Sequence, residues 1–324
     1  FMLGEAHGVS ANTNVYFDFI KYFHQKAKVR YVMLELPLSY QYFLDSFMLS
    51  GDTTLLRKLL FDDDRSSVYD TEEYLSFFIT LRNFNERLPA ETKLEFICVD
   101  AELRFNVTMW NLYSQLPDVL PPKKIAEAIE TLKTLYFEHK YASIYMKFIG
   151  ELIKTDMGKN AGQYKKYLGA NYDGFKQTVD NLVNTFLLNR EKIMMLNFNK
   201  TTVNRSRGNV CGQFGTFHAY QGKRLFKNTF ANMLDTDKTS QYRGKVMTIM
   251  FFYNNCGTIG PEKEVTNYYA SSKTFERMAE VAKTDFTLFK LNAAGTPFMK
   301  TAKRFQYVLL IQNQRAMKRL KLRR

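Results

Sequence analysis

A glutamate and a histidine stand two positions apart at the end of an apolar run that is typical of a buried strand. The run is "FMLGEAHG", residues 1–8, and the two residues are Glu5 and His7. Side chains two positions apart in a strand project from the same face, so the carboxylate and the imidazole point together beyond the strand end. A carboxylate that fixes the tautomer of an imidazole lets it act as a general base on water. This pattern predicts hydrolytic chemistry.

Further ionisable side chains follow the other predicted strands. Glu35 closes the second strand, Asp100 closes the third, and His218 follows the run "GQFGTF". Ligands bind beyond the carboxyl ends of the strands in α/β sheets, so we expect these groups to converge on one rim. Two routes to a nucleophilic water stay open. Either an imidazole beside a carboxylate takes the proton, or a divalent cation (Mn, Co or Zn) lowers the pKa of bound water. The metal ligands would be Glu5, His7, Glu35 and His218.

Alternating strand and helix patterns position these groups. Residues 10–29 begin with capping-type residues and repeat apolar positions at helical spacing, and the apolar run "RYVMLELPL" follows. A strand, a helix and a strand in this order indicate a parallel pair with a right-handed crossover. "KLEFICVD" predicts the third strand. Later strands are predicted at 208–220, 245–253, 286–292 and 305–313, and further helices at 52–60, 71–87 and around 272–283.

A long helical stretch separates the early strands from the late ones. From about 102 to 195 no comparable strand signal interrupts the helical periodicity. We therefore predict a three-layer α/β fold, with a mainly parallel central sheet and helices on both faces. Residues 1–101 and 196–324 form its catalytic core, and residues 102–195 form a helical insertion that serves as a lid or a pocket wall.

The net charge of +14 is not gathered into a nucleic-acid motif. Much of the basic excess lies on predicted helix faces and in the tail "RAMKRLKLRR", residues 315–324, rather than in a stripe interleaved with exposed aromatic residues. We expect no specific nucleic-acid partner, and only a weak contact of the tail with anionic surfaces. No run of 18 apolar residues occurs, so we expect no transmembrane helix.

The sequence leaves the compartment open. Its first residue is Phe inside a predicted strand, so we expect residues before it, and any signal peptide would lie among them. Cys98, Cys211 and Cys256 lack the spacing of a zinc site or a disulfide framework. Cys98 and Cys211 fall inside predicted strands, which favours buried side chains.

Other motifs favour no further chemistry. The sequence has no Gly-x-Ser-x-Gly turn after a strand, and no glycine-rich turn with phosphate-loop or dinucleotide spacing follows the first strand. The aspartates of "FDDDRSSVYD", residues 61–70, could ligate a metal, but a charge run in a loop is usually solvated, and we favour that interpretation. His24 and His139 lie on predicted helix faces beside lysines, which favours structural roles.

Two Gly-x-x-His motifs, Gly4 to His7 and Gly215 to His218, lie far apart in the chain. This pair resembles the superfamily that joins the erythromycin esterases, the bacterial haem-uptake lipoproteins and the Tiki metalloproteases. "YVMLELP" looks like the second strand of that superfamily, which ends in Glu, and "FICVDAELR" is similar to its third strand, which ends in Asp. "FQYVLLIQN" looks like its closing strand.

"REKIMMLN" resembles the Arg-Asp-x-x-Met-Ala-x-Asn helix segment of erythromycin esterases. The resemblance covers nearly the whole chain in order, through short motifs. In this segment Arg190, Met194 and Asn197 match, while Glu191 replaces the Asp and Met195 replaces the Ala.

The resemblance implies a hydrolase of an ester, lactone or amide that acts on a small-molecule or peptide substrate. His7 would be the general base or a metal ligand, with Glu5 and Glu35 as its carboxylate partners. Arg190 would supply positive charge to a developing oxyanion. The full implied set is His7, Glu35, His218 and Arg190 for catalysis, and Asp100 and Asn197 for substrate binding.

The first motif departs from the erythromycin esterase pattern. Those enzymes usually carry Gly-Glu-x-x-His, whereas this chain has Gly-Glu-Ala-His, which is closer to the other two branches. The departure weighs against hydrolysis of macrolide esters specifically. A non-catalytic protein of the same fold that binds a haem-type ligand is the alternative function. A protein that contacts nucleic acid or membrane through its basic surface ranks third.

Overall fold

The computed structural model describes residues 1–61, 67–202, 208–224, 227–259, 265–266, 273–293, 295 and 299–321. The aspartates at 62–64 and the last three residues of the basic tail lie outside the described residues. The chain divides into two compact units. The first comprises Phe1–Glu35, Gly51–Phe96 and Ser206–Arg324, and the second comprises Leu36–Ser50 and Ile97–Arg205.

The strands alternate with helices along the chain, as the sequence predicts. They are β1 (Met2–Glu5), β2 (Val29–Pro37), β3 (Glu95–Asp100), β4 (Asn209–Gly215), β5 (Lys223–Arg224), β6 (Lys227–Asn228), β7 (Thr248–Asn254), β8 (Cys256–Gly257), β9 (Val265–Thr266), β10 (Phe286–Lys290) and β11 (Tyr307–Gln312).

The helices follow in the same order. They are α1 (Ala11–Ala27), α2 (Tyr40–Ser50), α3 (Thr53–Leu60), α4 (Glu72–Glu86), α5 (Phe105–Ser114), α6 (Ala126–Phe137), α7 (Ser143–Leu168), α8 (Tyr172–Leu187), α9 (Arg190–Thr202), α10 (Thr216–Ala219), α11 (Phe230–Thr236), α12 (Lys273–Val281) and α13 (Met299–Ala302), with short 3₁₀ turns at Ala90–Thr92 and Gly169–Asn171.

A mainly parallel sheet is the centre of the fold. Within the described residues it has seven strands, in the order β10-β11-β7-β1-β4-β2-β3. The pairs from β11 to β2 are parallel, and β10 is antiparallel to β11. The predicted α/β class with a mainly parallel sheet is therefore confirmed.

β1 occupies a central position in this sheet, because it pairs with β4 on one side and with β7 on the other. All four of its residues are buried, as expected of a parallel strand that is covered on both faces. Its register places Glu5 opposite Gly215 of β4. The carboxyl ends of β1 and β4 therefore lie side by side.

The second unit contains the long helical stretch that the sequence predicts. Helices α5 to α9 span Phe105–Thr202, and the model shows no strand among the described residues between β3 and β4. Apolar side chains on α5, α6, α7 and α8 are fully buried together. Such a stripe on each helix drives helices to pack against one another. α7 contains one non-helical residue, Asn160, where two helical segments join.

The predicted strand at 208–220 ends earlier than expected. β4 stops at Gly215, and His218 lies on the short helix α10 rather than in the strand. The side-chain hydroxyl of Thr216 donates a hydrogen bond to the main-chain oxygen of Glu5 at 2.9 Å. This bond turns the chain at the strand end, because it replaces the next rung of the β1–β4 ladder with a side-chain contact.

The remaining structural expectations concern cysteines and membranes. Cys98, Cys211 and Cys256 are free thiols with buried side chains. Nδ1 of His24 lies 2.9 Å from the main-chain oxygen of Val29, a contact that fits a structural role. Among the helices that the structure describes, none is both long enough and apolar enough to cross a membrane.

Candidate active site

Glu5 and His7 meet at the end of β1. Glu5 is the last residue of the strand and is 3% exposed, whereas His7 lies in the turn that follows. Nδ1 of His7 contacts Oε1 of Glu5. Gly8 continues the turn with a φ of 91°, a backbone conformation that favours glycine. The two side chains that the spacing predicts to point together are thus in contact, although only Glu5 belongs to the strand.

Two side chains from other elements engage the second oxygen of Glu5 and the peptide after it. Asn12, in the first turn of α1, donates from Nδ2 to Oε2 of Glu5 at 2.5 Å and to the main-chain oxygen of Ala6 at 2.8 Å. Tyr253 of β7 donates its hydroxyl to Oδ1 of Asn12 at 2.8 Å and accepts the N–H of Ala6 at 3.2 Å. Asn12 and Tyr253 are both 0% exposed. Both oxygens of Glu5 are therefore held by neighbours.

Glu35 and His218 form a second carboxylate–imidazole pair. Glu35 belongs to β2 and is 4% exposed. Its Oε2 accepts the main-chain N–H of Gly215 at 2.6 Å, and its Oε1 lies 3.3 Å from Nε2 of His218. The main chain at the end of β4 thus orients the carboxylate that faces His218.

Gly215 brings the two pairs side by side. A Cβ atom at this position would lie 3.2 Å from Nε2 of His7 and 3.7 Å from Oε2 of Glu35. A glycine therefore lets an imidazole and a carboxylate approach the main chain at one point. In this way the ends of β1, β2 and β4 gather four of the predicted site residues: Glu5, His7, Glu35 and His218.

The two imidazoles differ in their exposure to solvent. The side chain of His7 is 37% exposed, whereas that of His218 is 9% exposed. Tyr74 lies close to both carboxylates and is itself buried. Burial, and then the charges of Glu5 and Glu35, raise the pKa of its phenol well above the ordinary value. His7 is thus the imidazole that a molecule arriving from solvent can reach.

Sequence reasoning missed Asn12, Tyr74 and Tyr253. Asn12 falls in a stretch that reads as the capping segment of a helix, and its Oδ1 meets the Tyr253 hydroxyl across 241 positions of sequence. The tyrosines lie within apolar runs that predict core residues. No local pattern in the sequence marks any of the three, because only the sheet topology brings them to Glu5.

The other predicted site residues lie together within the second unit. Arg190 donates from Nε to Oδ1 of Asp100 at 2.8 Å and from Nη2 to Oδ2 at 2.5 Å, which is a bidentate ion pair. Asn197 donates to the main-chain oxygens of Val99 and Asp100 at 3.0 and 3.1 Å. These bonds orient the guanidinium and fix the end of β3. Substrate binding by Asp100 and Asn197 stays a prediction.

Glu102 is a buried carboxylate of the second unit that sequence reasoning did not single out. It is 0% exposed. Its Oε1 accepts the N–H of Ser39 at 3.1 Å and Nδ2 of Asn181 at 2.7 Å, and its Oε2 accepts the hydroxyl of Thr108 at 2.7 Å. Burial raises the pKa of this carboxyl, and the hydrogen bonds from its neighbours partly oppose that shift.

The predicted divalent metal does not fit the arrangement of these side chains. Metal ligands must direct several oxygen or nitrogen atoms at one point. Among the described residues, no group of three or more His, Cys, Asp or Glu side chains is arranged to hold a metal ion. The glutamates and histidines at the ends of β1, β2 and β4 instead face each other as two pairs.

Comparison with known proteins relates the chain to others through its structure. No protein-family model matches the sequence, and no curated protein matches it. A Bacillus cereus protein of known structure is similar over 99% of this chain and 90% of its own, with a TM-score of 0.69 and 14% identity. A succinoglycan biosynthesis protein is similar over 98% of this chain and 88% of its own, with a TM-score of 0.66 and 15% identity.

A mutant of the erythromycin esterase EreC in its open conformation is also similar. The likeness covers 97% of this chain and 90% of the esterase, with a TM-score of 0.63 and 12% identity. At such identities the likeness shows the fold alone. The fold that the two Gly-x-x-His motifs imply is therefore confirmed, since the chain shares it with an erythromycin esterase.

Proposed function

We propose that this protein is a hydrolase of an ester, lactone or amide, in which His7 acts as the general base on water. The observation that carries the proposal is the contact of Nδ1 of His7 with the buried carboxylate of Glu5, in an imidazole that is 37% exposed. A buried carboxylate behind a solvent-accessible imidazole is the arrangement that general-base catalysis requires.

The reaction follows from this geometry. Nε2 of His7 removes a proton from water as the water oxygen attacks the substrate carbonyl carbon. Glu5 stabilises the imidazolium that forms, because its negative charge lies against Nδ1. The imidazolium then returns the proton to the leaving alcohol or amine when the bond from carbon to that group breaks. Proton and electron pair are thus balanced without an external reactant.

Glu35 is the proposed second carboxylate partner of His7. Both Nε2 of His7 and Oε2 of Glu35 lie beside Gly215, so the negative charge of Glu35 favours the imidazolium from the second side. His218 holds the other oxygen of Glu35. No step requires a metal, because these side chains form pairs rather than a ligand cluster.

Arg190 keeps the role that the family resemblance implies, which is to stabilise a developing oxyanion. Its bidentate pair with Asp100 fixes the plane of the guanidinium. A preoriented cation stabilises developing charge without reorganising during the reaction. The shared fold of an erythromycin esterase supports the hydrolase proposal, but at 12% identity it does not identify a substrate.

The test is a hydrolysis assay with panels of p-nitrophenyl esters, lactones and peptide anilides. We expect measurable turnover that falls by about 100-fold or more in His7→Ala, the usual contribution of a general base. His139→Ala is the matched control, because His139 is an exposed imidazole of the second unit. Dialysis against a chelator should leave the activity unchanged. An activity that survives His7→Ala, or the absence of any turnover across the panels, refutes the proposal.

A further inference from the structure

The hydrogen bonds behind Glu5 have directions that can be derived atom by atom. We call Glu5, Ala6, Asn12 and Tyr253 the polar ring. The N–H of Ala6 donates to the Tyr253 hydroxyl, so the hydrogen of that hydroxyl is directed to its other partner, Oδ1 of Asn12. The phenol is therefore an acceptor from the main chain and a donor to the amide.

This donation decides which way the Asn12 amide faces. With Oδ1 accepting from Tyr253, Nδ2 must face Glu5 and the main-chain oxygen of Ala6, and it donates to both. The opposite orientation would set Oδ1 against two other oxygen atoms and Nδ2 against the phenol hydrogen. A single main-chain N–H thus fixes the direction of every bond in the polar ring.

The polar ring determines what Glu5 presents to His7. Oε2 of Glu5 is engaged by Asn12, and Oε1 faces Nδ1 of His7. A carboxylate oxygen is an acceptor only, so a neutral imidazole meets it with the hydrogen on Nδ1. Nε2, on the Gly215 side, then carries the lone pair.

We propose that Asn12 and Tyr253 are positioning residues, which hold the neutral imidazole of His7 in the tautomer that carries its hydrogen on Nδ1. The inference rests on the proposed role of His7 as general base, because only this tautomer offers Nε2 to water. Hydrogen bonds that fix the tautomer of a functional histidine are common around catalytic imidazoles.

The environment of the polar ring supports this role. Asn12 and Tyr253 are 0% exposed, so water does not compete for their hydrogen bonds. Burial, and then the charge of Glu5, raise the pKa of Tyr253 well above its ordinary value. The phenol therefore keeps its hydrogen throughout the pH range in which the protein is folded.

The experiment measures the tautomer directly, by ¹⁵N chemical shifts of the imidazole nitrogens in histidine-labelled protein at a pH where His7 is neutral. The chain has four histidines, and His7→Gln assigns the signals of interest. In the wild type we expect a protonated Nδ1 and an unprotonated Nε2. In Tyr253→Phe the population with hydrogen on Nε2 should rise, because Asn12 no longer has a fixed orientation.

Tyr16→Phe is the matched control. Tyr16 is also buried in the first unit, and its hydroxyl donates to the main-chain oxygen of Met33 at 2.7 Å, outside the polar ring. This substitution removes a buried phenol hydroxyl of the same kind and should leave the His7 tautomer unchanged. Asn12→Leu is a second variant that removes both amide groups and should shift the tautomer further. Circular dichroism spectra establish that each variant is folded, and Tyr253→Phe decides alone if Asn12→Leu is not.

The readouts separate this inference from the proposed function. A tautomer that Tyr253→Phe leaves as unchanged as Tyr16→Phe does, or a wild-type His7 protonated on Nε2, overturns the positioning role. A wild type without hydrolytic activity whose tautomer nevertheless shifts in Tyr253→Phe supports the positioning role and refutes the hydrolase. With p-nitrophenyl acetate as the probe, we expect Tyr253→Phe to lower kcat about tenfold at unchanged KM, as a misoriented base does.

Discussion

The main-chain N–H of Gly215 donates a hydrogen bond of 2.6 Å to the carboxylate of Glu35. The same residue stands opposite Glu5 in the parallel ladder between β1 and β4. One position of the sheet therefore aligns both carboxylates of the candidate site, and its missing side chain makes room for the imidazole of His7.

Gly215→Ala should reduce activity without unfolding the protein. The new Cβ would lie 3.2 Å from Nε2 and 3.4 Å from Cε1 of His7, so the imidazole must move. The φ of Gly215 is −50°, which alanine adopts without strain. We expect kcat/KM to fall about tenfold, because small misplacements of a catalytic group are costly, with little change in the melting temperature.

The control for this substitution is Gly158→Ala in α7, where an added Cβ meets nothing within 4 Å. Replacing glycine by alanine inside a helix should stabilise the protein by about 0.5–1 kcal/mol and leave the activity unchanged. A Gly215→Ala variant with wild-type kinetics would contradict the proposed position of His7 in the site.

Glu5→Gln should impair both activity and stability. A glutamine amide cannot accept from Asn12 and from Nδ1 of His7 at once, because one of its two ends is a donor. We expect hydrolysis to slow by about 100-fold as the general base loses its partner. The free energy of unfolding, measured in urea, should fall by about 1–3 kcal/mol, the cost of a buried polar mismatch. Equal activity of Glu5→Gln and wild type would show that the carboxylate does not assist His7.

The buried carboxyl of Glu102 should make stability depend on pH. Its pKa is raised in the folded state, so the folded protein binds this proton more tightly than the unfolded chain does. The resulting stabilisation is complete below the pKa of an exposed glutamate and is lost as the pH rises through the raised pKa. Glu102→Gln removes the titration, and the Thr108 hydroxyl can accept from the new amide while it donates to the main-chain oxygen of Arg104, 3.1 Å away.

The measurement is urea unfolding of the wild type and Glu102→Gln over a series of pH values. The free energy of unfolding of the variant, relative to that of the wild type, should increase with pH across this interval. A difference that stays constant, or that decreases, would mean that Glu102 ionises in the folded protein as readily as in the unfolded chain.

Arg190→Lys should destabilise the second unit even though the charge is kept. A lysine ammonium replaces a planar fork that bonds both oxygens of Asp100, so one buried oxygen loses its charged donor. We expect a loss of about 1–3 kcal/mol in the free energy of unfolding. Lys133→Ala is the comparison, since it removes an exposed pair with Glu130 and should cost under about 1 kcal/mol. Similar losses in the two variants would argue against a special role of the bidentate pair.

Much of the fold could be predicted because its signals are local. The apolar runs that become β1, β2 and β3 each end in an acidic residue or a proline, and the helical periodicity after β3 persists through α5 to α9. The contact of Glu5 with His7 also follows from a spacing of two residues. Such features depend on neighbours in the sequence, which is why the sequence alone reveals them.

The rest depends on which distant segments meet. Asn12 and Tyr253 belong to a helix and a strand that nothing local relates, and their meeting follows from the position of β1 next to β7. The short helix that carries His218 was missed because a side-chain bond from Thr216, rather than a helix signal, ends β4. The metal interpretation had the right residues but not their pairwise orientation, which residue types do not specify.

The peptide between Glu5 and Ala6, and the one after it, lie where β1 runs out of neighbouring strands to bond. The N–H and the carbonyl of Ala6 are taken up instead by a phenol and an amide, which continue the ladder as if they were backbone. The amide hydrogen of Ala6 should accordingly exchange with deuterium as slowly as those inside the sheet. Rigidity would then extend one residue past the last rung, as far as the point where chemistry is proposed to begin.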